Sequence, residues 1–482
     1  MSLDQALRFA LTGGRVDRLR FAITAFGAAL TAFILLTAAV VVAIPDGRGY
    51  RVEVLNDAGL HGGVAFALVM LSLPALVLTG LGVRVGSPAR DRRLAAFRLA
   101  GMTPAEARRV VSLETGLAAV AGSALGGACF LLARVLLRAP GSYVAVVPTP
   151  EGMTRQVVVT PGPALPVDVS PHWWAAALAL LLVPFGAVLL SRLALRRVAL
   201  TPFGVVRRER RRPPAVLPVV ALAVGTGAFA WWSDLIERLG LLEHRWLSTW
   251  PPMVFVVVIL GALLFGTASV SHLLGRVLAA HPPTVAALIA ARRMVADPWS
   301  ASRATASVIL SVLLGAGAAA FTVEANLQRP DTSFFASTFD VIALVVGVAL
   351  VLGAAGLLVI QLESMMLRRR TLASLAVAGV PRSVLVRAHL IETLLPVVPM
   401  VLVAAAVGTL AMRGHTGGSR LEVADDPSGN WDLGTHFVPI PVAWADLGMF
   451  VGGAVLAVLL TTLVGAASLR SSMHARELRT AA

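Results

Sequence analysis

The feature that most constrains this chain is a series of apolar stretches, each close to the length of a membrane span, that recur along its 482 residues. A helix of about 20 apolar residues crosses the hydrocarbon core of a bilayer. The chain is 57% hydrophobic and only 14% charged, which is far less charge than soluble proteins of this size carry. The sequence therefore predicts an all-α, polytopic membrane protein. The ten predicted spans are 21–44, 62–83, 113–136, 173–193, 215–232, 253–278, 304–321, 341–362, 393–412 and 442–469.

Arginine supplies all 41 basic residues, and its distribution predicts how the spans are oriented. With the N-terminus in the cytoplasm, the cytoplasmic segments hold 31 arginines and the outside segments hold ten. This excess is the positive-inside pattern, so both termini are expected in the cytoplasm. The basic run 207–214 is first a topology anchor and second a contact for lipid phosphates. The net charge of +15 therefore follows from topology, and binding to nucleic acid is not expected.

Two related segments, residues 90–115 and 368–393, align without gaps. Each lies between the second and third span of a four-span unit, so spans 1–4 and 7–10 form two copies of one unit in the same orientation. This predicts a first unit over 1–200, a linker with a central pair of spans over 201–284, and a second unit over 285–482. The matched pairs are Arg90/Arg368, Arg92/Arg370, Leu94/Leu372, Ala95/Ala373, Ala100/Ala378, Gly101/Gly379, Arg109/Arg387, Glu114/Glu392 and Thr115/Thr393.

Both segments predict a helix, a break and a second helix at the cytoplasmic surface, with a short first helix at 94–99 in the first copy. Gly101 can end that helix in the left-handed conformation. Thr103 at the N-cap, a proline at N1 and Glu106 at N3 then form a capping box that starts the next helix. The second copy keeps Gly379 and Pro381 but lacks the box. The alternative is an ordinary interfacial loop, which the ungapped duplication disfavours.

The residues before the first span of each unit predict a surface helix. Residues 1–20 place Leu3, Leu7 and Leu11 at helical spacing, with arginines at other positions. This pattern is typical of an amphipathic helix that lies at the membrane surface. A similar stretch, 285–303, precedes the seventh span.

Several chemistries are disfavoured by residue type alone. A phosphate-binding P-loop needs a lysine, and the chain has none. Cys129 is the only cysteine, so no intrachain disulfide can form. The nine histidines show no metal-ligand spacing. The chain is therefore expected not to be an enzyme, and no catalytic, cofactor-binding or metal-ligating residue is predicted.

The motifs LAGMTPAEARRVVSLETGLAAVAGSALG and VAGVPRSVLVRAHLIETLLPVVPMVLVAAAVG resemble the FtsX-like permease family of ABC transporters, the group that includes the MacB and bacitracin-exporter permeases. The resemblance implies ten spans in a 4+2+4 order and a permease subunit in a bacterial cell membrane. It also implies a separate ABC ATPase partner, expected in two copies, and an amphipathic substrate: a peptide, a lipid or lipoprotein, or an antimicrobial compound. Many members carry a large extracytoplasmic domain, but the longest outside loops here, 138–172 and 413–441, are too short for one.

The resemblance maps the family's coupling element, which contacts the ATPase, onto residues 90–114 and 368–392. We call these the first and second coupling segments. The expected coupling residues are Arg90, Arg92, Arg93, Gly101, Thr103, Arg109, Glu114, Arg368, Arg370, Gly379, Pro381, Arg387 and Glu392.

Two rival functions stay open. The family contains members that transport nothing and instead transmit ATP-driven motion to an enzyme or sensor outside the cell. An ion-coupled secondary transporter is less favoured, because such proteins place carboxylates deep in the membrane, whereas the acidic residues here lie near span ends.

The two repeated glutamates raise a question about their partners. Arg109 and Glu114 are five residues apart, as are Arg387 and Glu392, so on a helix each pair is about 140° out of line and poorly placed to bond. Each glutamate is therefore expected to find another partner: a cytoplasmic arginine, a backbone N–H or the ATPase. The alternative is that it remains in water at the membrane boundary.

Overall fold

The fold was examined in a computed structural model, which describes residues 15–45, 50, 55, 61–82, 101–137, 140–148, 154–163, 166–196, 216–241, 245–328, 333–416, 420–424, 433–437 and 441–467. In chain order the elements are α1 (Arg15–Val42), α2 (His61–Gly82), α3 (Pro104–Leu136), β1 (Pro140–Pro148), β2 (Thr154–Pro163), α4 (Trp173–Arg196), α5 (Leu217–Arg238), α6 (Arg245–Ala280), α7 (Val285–Ala296), α8 (Trp299–Gln328), α9 (Ser333–Val377), α10 (Arg382–Thr416), β3 (Arg420–Ala424), β4 (Leu433–Phe437) and α11 (Trp444–Ala467).

Within these ranges, eight helices are long and apolar enough to cross a membrane. The other two predicted spans fall on α2 and α4, whose apolar parts are the shorter stretches His61–Leu73 and Trp173–Leu189. The prediction of a helical, polytopic membrane protein is confirmed, while the count of ten spans stays a prediction. The eight apolar stretches are Arg20–Val42, Arg109–Leu136, Leu217–Arg238, Trp250–Ala280, Ala304–Val323, Ala343–Leu362, Arg382–His415 and Trp444–Ala467.

The chain divides into two compact units, Met1–Arg208 and Glu209–Ala482. In the first unit α1 packs against α2 and α3, and α3 packs against α4. In the second unit α8 packs against α9 and α10, and α11 packs against all three. The first helix of each predicted repeat thus contacts the second and the third. The central pair, α5 and α6, lies in the second unit, and the three-part division at residues 200 and 284 stays a prediction.

Glycines set the close approach of α1 and α3. A Cβ atom at Gly122 would collide with the Ala25 carbonyl oxygen, and one at Gly126 would collide with the Ala29 carbonyl oxygen. Two glycines four residues apart allow two helix backbones to come into contact in a membrane. In the second unit, Gly408 of α10 plays the same part against the backbone of α8.

The core of the second unit is formed by aliphatic side chains from α6, α8, α9, α10 and α11. In a membrane, where lipid is as apolar as the core, such side chains stabilise the bundle through close packing rather than through removal from water. Representative members, each no more than 1% exposed, are Leu263, Val308, Leu357, Val401 and Val458.

Each predicted four-helix repeat also places a β-hairpin between its third and fourth helices. β1 pairs antiparallel with β2, with Tyr143 opposite Val159, and β3 pairs antiparallel with β4, with Glu422 opposite Thr435. The sequence predicts only loops here. The missed signal was the β-branched residues of YVAVV and QVVVT, bounded by glycine and proline.

The α1–α3 contact gives a testable expectation. Replacing Gly126 by alanine should cost about 1–3 kcal/mol of stability, because the backbones must separate to admit the methyl group. Gly186 in α4 is the control, since a Cβ atom there meets nothing within 4 Å, and Gly186→Ala should be neutral or stabilise the helix. Thermal unfolding of the two purified variants in detergent measures this. Equal melting temperatures would contradict the glycine contact.

Candidate functional site

The second coupling segment forms the tip of a helical hairpin. α9 is 45 residues long and continues to Val377, past the end of its apolar stretch at Leu362. The overhang is about 22 Å at 1.5 Å per residue. The chain then turns, and α10 begins at Arg382. The predicted helix, break and helix are present, and both arms continue into apolar helices rather than only the second.

The turn between α9 and α10 is a packed helix ending. Gly379 has a φ of 87°, a left-handed conformation that glycine adopts at no steric cost. The Val380 N–H donates to the Leu375 carbonyl at 3.0 Å, which is the hydrogen bond of a Schellman ending. Val380 and Leu375 both pack on a cluster that includes Leu372 and Leu385. These contacts argue against an ordinary loop.

The first coupling segment has a left-handed glycine at the equivalent position. Gly101 has a φ of 98°, and α3 follows with the predicted capping box. The Thr103 N–H donates to Glu106 Oε2 at 2.9 Å, and the Glu106 N–H donates to Thr103 Oγ1 at 3.3 Å. The predicted short helix at 94–99 lies outside the described residues.

The structure describes the side chains of only two of the arginines in the predicted coupling set. Arg109 and Arg387 are solvent-exposed, one on α3 and the other on α10. Pro381 is also exposed, and its carbonyl accepts the first hydrogen bond of α10, from the Val384 N–H at 3.1 Å. The remaining arginines are not described at the side-chain level: Arg368 and Arg370 lie on α9, while Arg90, Arg92 and Arg93 lie outside the described residues.

The two repeated glutamates are buried, and each forms an ion pair with an arginine of its own unit. Glu114 on α3 is 6% exposed and pairs with Arg20 of α1. Glu392 on α10 is 9% exposed, and its Oε2 lies 3.5 Å from Arg293 Nη1 on α7. The expectation of an arginine partner is confirmed, and the alternative of a glutamate left in water is wrong.

The stretch before the seventh span, 285–303, contains the helix α7, while its position at the membrane surface stays a prediction. Thr284 caps α7, its Oγ1 accepting from the Ala287 N–H at 3.1 Å. Ala286 and Ala290 of α7 pack against Ala388 of α10, one turn before Glu392. The Arg293–Glu392 pair therefore lies beside a close helix contact. Its counterpart in the first unit falls largely on residues 1–14, outside the described part of the chain.

Sequence reasoning did not identify which arginines pair with the two glutamates. Arg20 directly precedes the first apolar stretch, where a charge is costly unless it is paired. That position was the available signal, but the partner lies on another helix and cannot be read from local spacing.

The capping box predicts a pH effect. The Thr103 N–H and then the Thr103 hydroxyl lower the pKa of Glu106 from 4.5 to about 2. A lowered pKa means that the ionised carboxylate stabilises the folded helix, so the stabilisation is complete above pH 4.5 and is lost as the pH falls towards 2. Amide exchange at the start of α3, corrected for intrinsic rates, should show this loss. Glu106→Gln, which can also close the box but does not titrate, should show no such pH dependence.

The ion pairs predict a large effect on stability. Glu114→Gln should cost about 3–5 kcal/mol, because it removes the carboxylate that pairs with the buried Arg20. Glu392→Gln should cost less, because the side chain of Arg293 is only half-buried. Asp234→Asn is the control: Asp234 pairs with Arg238 at 2.7 Å on the solvent-exposed end of α5, and exposed pairs contribute less than about 1 kcal/mol. Thermal unfolding in detergent compares the three. A glutamate variant as stable as Asp234→Asn would mean that its ion pair is not structurally important.

Comparison with known protein families gives a match within the second unit. Residues 343–473 match the family model of the FtsX-like permease C-terminal domain, a range that includes the second coupling segment, α10, the β3–β4 hairpin and α11. No curated protein and no solved structure matches the chain. Members of the matched family are typically non-catalytic membrane subunits that work with an ABC ATPase. The match covers about a quarter of the chain, and it shows that residues 343–473 resemble the C-terminal domain of FtsX-like permeases.

Proposed function

We propose that this chain is the permease subunit of an ABC transporter that exports or extracts an amphipathic substrate, driven by ATP hydrolysis on a separate ATPase chain. The substrate class is a peptide, a lipid or lipoprotein, or an antimicrobial compound. The observation that carries the proposal is the hairpin of α9 and α10. Its packed turn at Gly379 joins two continuous helices, and it lies inside the region that matches the family.

The proposed mechanism is mechanical. Two ATPase subunits dock on the two coupling segments, with the exposed Arg109 and Arg387 as cationic contacts. Closure of the ATPases moves each turn. The adjoining helices carry the displacement to spans 2–3 and 8–9, because a packed helix moves as a stiff rod whereas a flexible linker does not.

The buried ion pairs extend this movement to neighbouring helices. Glu392 connects α10 to α7, and Glu114 connects α3 to α1. Removing one partner of a buried pair costs about 3–5 kcal/mol, so each pair is expected to stay closed while its helices move. The start of α10 and α7 are then expected to move together as one rigid body, and so are the start of α3 and α1.

We further propose that the turns at Gly101 and Gly379 lie in the cytoplasm, that both termini are cytoplasmic, and that the protein is a multi-pass component of a bacterial cell membrane. The support is the excess of arginine in the segments on that side. Lipid headgroups are the expected partners of the basic run 207–214.

A second function, transmission of motion without transport, is favoured by one observation. α10 runs without interruption from Arg382, next to the second coupling turn, to Thr416, and β3 begins at Arg420. A displacement at the turn would reach the β3–β4 hairpin through one helix. An extracytoplasmic enzyme or sensor that contacts this hairpin could respond to it. An ion-coupled secondary transporter remains the least favoured class.

Replacing residues 372–379 by a Gly/Ser stretch of equal length tests the coupling. A Gly/Ser segment behaves as a random coil and transmits little displacement. The variant should insert in the membrane but lose permease-stimulated ATP hydrolysis. The same replacement of residues 425–432, which connect β3 and β4, is the control and should keep stimulation. Full stimulation in the 372–379 variant would overturn the coupling assignment.

Reconstitution with the ATPase in vesicles separates the two functions. Movement of an amphipathic substrate between leaflets or out of the membrane, dependent on ATP, supports transport. Stimulated hydrolysis with no substrate movement supports transmission of motion.

A further inference from the structure

Three tryptophans of the second unit have highly exposed side chains, each at one end of the apolar part of its helix. Trp250 and Trp444 are the first residues of the apolar stretches of α6 and α11, and Trp231 lies where α5 changes from apolar to polar residues. Their exposed fractions are 64%, 76% and 74%. Large side chains this exposed need a partner outside the bundle.

The contact between α5 and α6 places Trp231 and Trp250 at one level. The indole Nε1 of Trp232, the residue after Trp231, donates to the Leu247 carbonyl at 2.8 Å. Leu247 lies one helical turn before Trp250 on α6. The exposed tryptophans of these two helices are therefore close in depth.

Contacts through α10 place Trp444 at the same level. A Cβ atom at Gly414 of α10 would collide with the Cβ atom of Ala230 on α5, so the two helices touch there. Arg413, the residue before Gly414, lines a small cavity together with Ala443, which directly precedes Trp444. The three exposed tryptophans thus surround one end of the second unit at a common depth.

This level separates charged residues from apolar ones. Every exposed residue of α5 between 217 and 230 is apolar. Beyond Trp231 the same helix ends in the exposed Asp234–Arg238 ion pair. Tryptophan combines a large apolar ring with one N–H donor, and it is enriched where the acyl chains of a membrane meet the headgroups.

The first unit has the same feature at the matching position of its repeat. α4 and α11 are the fourth helices of the two predicted repeats, and each begins with a tryptophan. Trp173 is 82% exposed and Trp444 is 76% exposed. The position is therefore occupied in both copies by an outward-facing indole.

We propose that Trp231, Trp250 and Trp444 bind the headgroup layer of the extracytoplasmic leaflet and fix α5, α6 and α11 in depth. Each ring would lie among the upper acyl-chain carbons, and its N–H would donate to an ester or phosphate oxygen of a lipid. The assignment to this leaflet rests on the proposed orientation of the chain. The contact with headgroups does not.

The arms of the coupling hairpin have no such anchor, because α9 and α10 contain no tryptophan. Under the proposed coupling role, movement of these two helices along the membrane normal pulls no indole out of the headgroup layer. The anchored helices α5, α6 and α11 then act as the part of the second unit that stays fixed in the bilayer.

The test uses the full-length chain with fluorinated tryptophan, reconstituted in phosphatidylcholine nanodiscs. Fluorine NMR signals are assigned with single Trp→Phe variants. A nitroxide on the lipid headgroup should remove the signals of Trp231, Trp250 and Trp444, whereas a nitroxide near the end of the acyl chain should largely preserve them. Trp232 is the control, since its N–H is bonded within the unit and its ring packs edge-on against Phe255 at 5.5 Å. It should be broadened less than Trp231.

Two results would overturn the proposal. One is that a water-soluble gadolinium chelate broadens the three signals and the headgroup nitroxide does not, as for a surface that faces water or a protein partner. The other is that the nitroxide at the end of the acyl chain has the larger effect, as for side chains in the hydrocarbon core. Labelled lipids occupy both leaflets of a nanodisc, so neither result depends on the orientation of the chain or on its coupling role.

A second measurement tests the fixed depth. Cys129 is the only cysteine, so a spin label can be placed on Val224, an exposed residue of α5, in a Cys129→Ser background. Collisions with oxygen and with a water-soluble nickel complex report its depth. Lipids with longer acyl chains should leave the depth below the headgroups unchanged when the tryptophans are present. They should increase it in the triple variant Trp231→Leu, Trp250→Leu, Trp444→Leu, and an equal increase in both proteins would show that the tryptophans do not anchor α5.

Discussion

Each predicted repeat keeps one carboxylate near the start of its third helix, and that group can stay buried only because an arginine reaches it. In the first unit the arginine belongs to α1, so Arg20 and Glu114 join α1 to α3 at their base. Further along the same two helices, Gly122 and Gly126 bring the backbones into contact. An ion pair at one end and a glycine contact in the middle fix both the register and the separation of α1 and α3.

The second unit uses the same carboxylate position with a different partner. Arg293 lies on α7, a separate short helix ahead of α8, and its contact with Glu392 is 3.5 Å long. The position of Val111 in the first unit is taken by His389 in the second, and His389 lines, together with Glu392, a cavity of about 50 Å³ among α8, α9 and α10. The duplication therefore preserves the charge at the base of the third helix, while the polar surroundings of that charge have diverged.

The parts of this structure that the sequence predicts correctly are those that depend on neighbouring residues. The apolar stretches, the left-handed glycines at 101 and 379 and the capping box at Thr103 follow from local rules about helix composition and helix ends. The arginine partners do not, since Arg293 and Glu392 are separated by 99 residues and meet only when α7 packs on α10. The unbroken length of α9 was also missed, because the positions of arginines do not show how far a helix continues. The first hairpin was missed although its β-branched residues were a local signal.

The length of α9 has an electrostatic consequence. With the end of its apolar stretch, Leu362, taken as the membrane boundary, the turn at Gly379 stands beyond the lipid headgroups. The overhang of about 22 Å includes a headgroup layer of about 5–8 Å, so the tip lies roughly 15 Å beyond the charged lipid surface, which is about two Debye lengths of about 8 Å at physiological ionic strength. Charges at the tip, such as Arg382, are then screened from the anionic lipid surface. Their attraction is left for an acidic protein surface, so recognition at the tip should be insensitive to the lipid composition of the membrane.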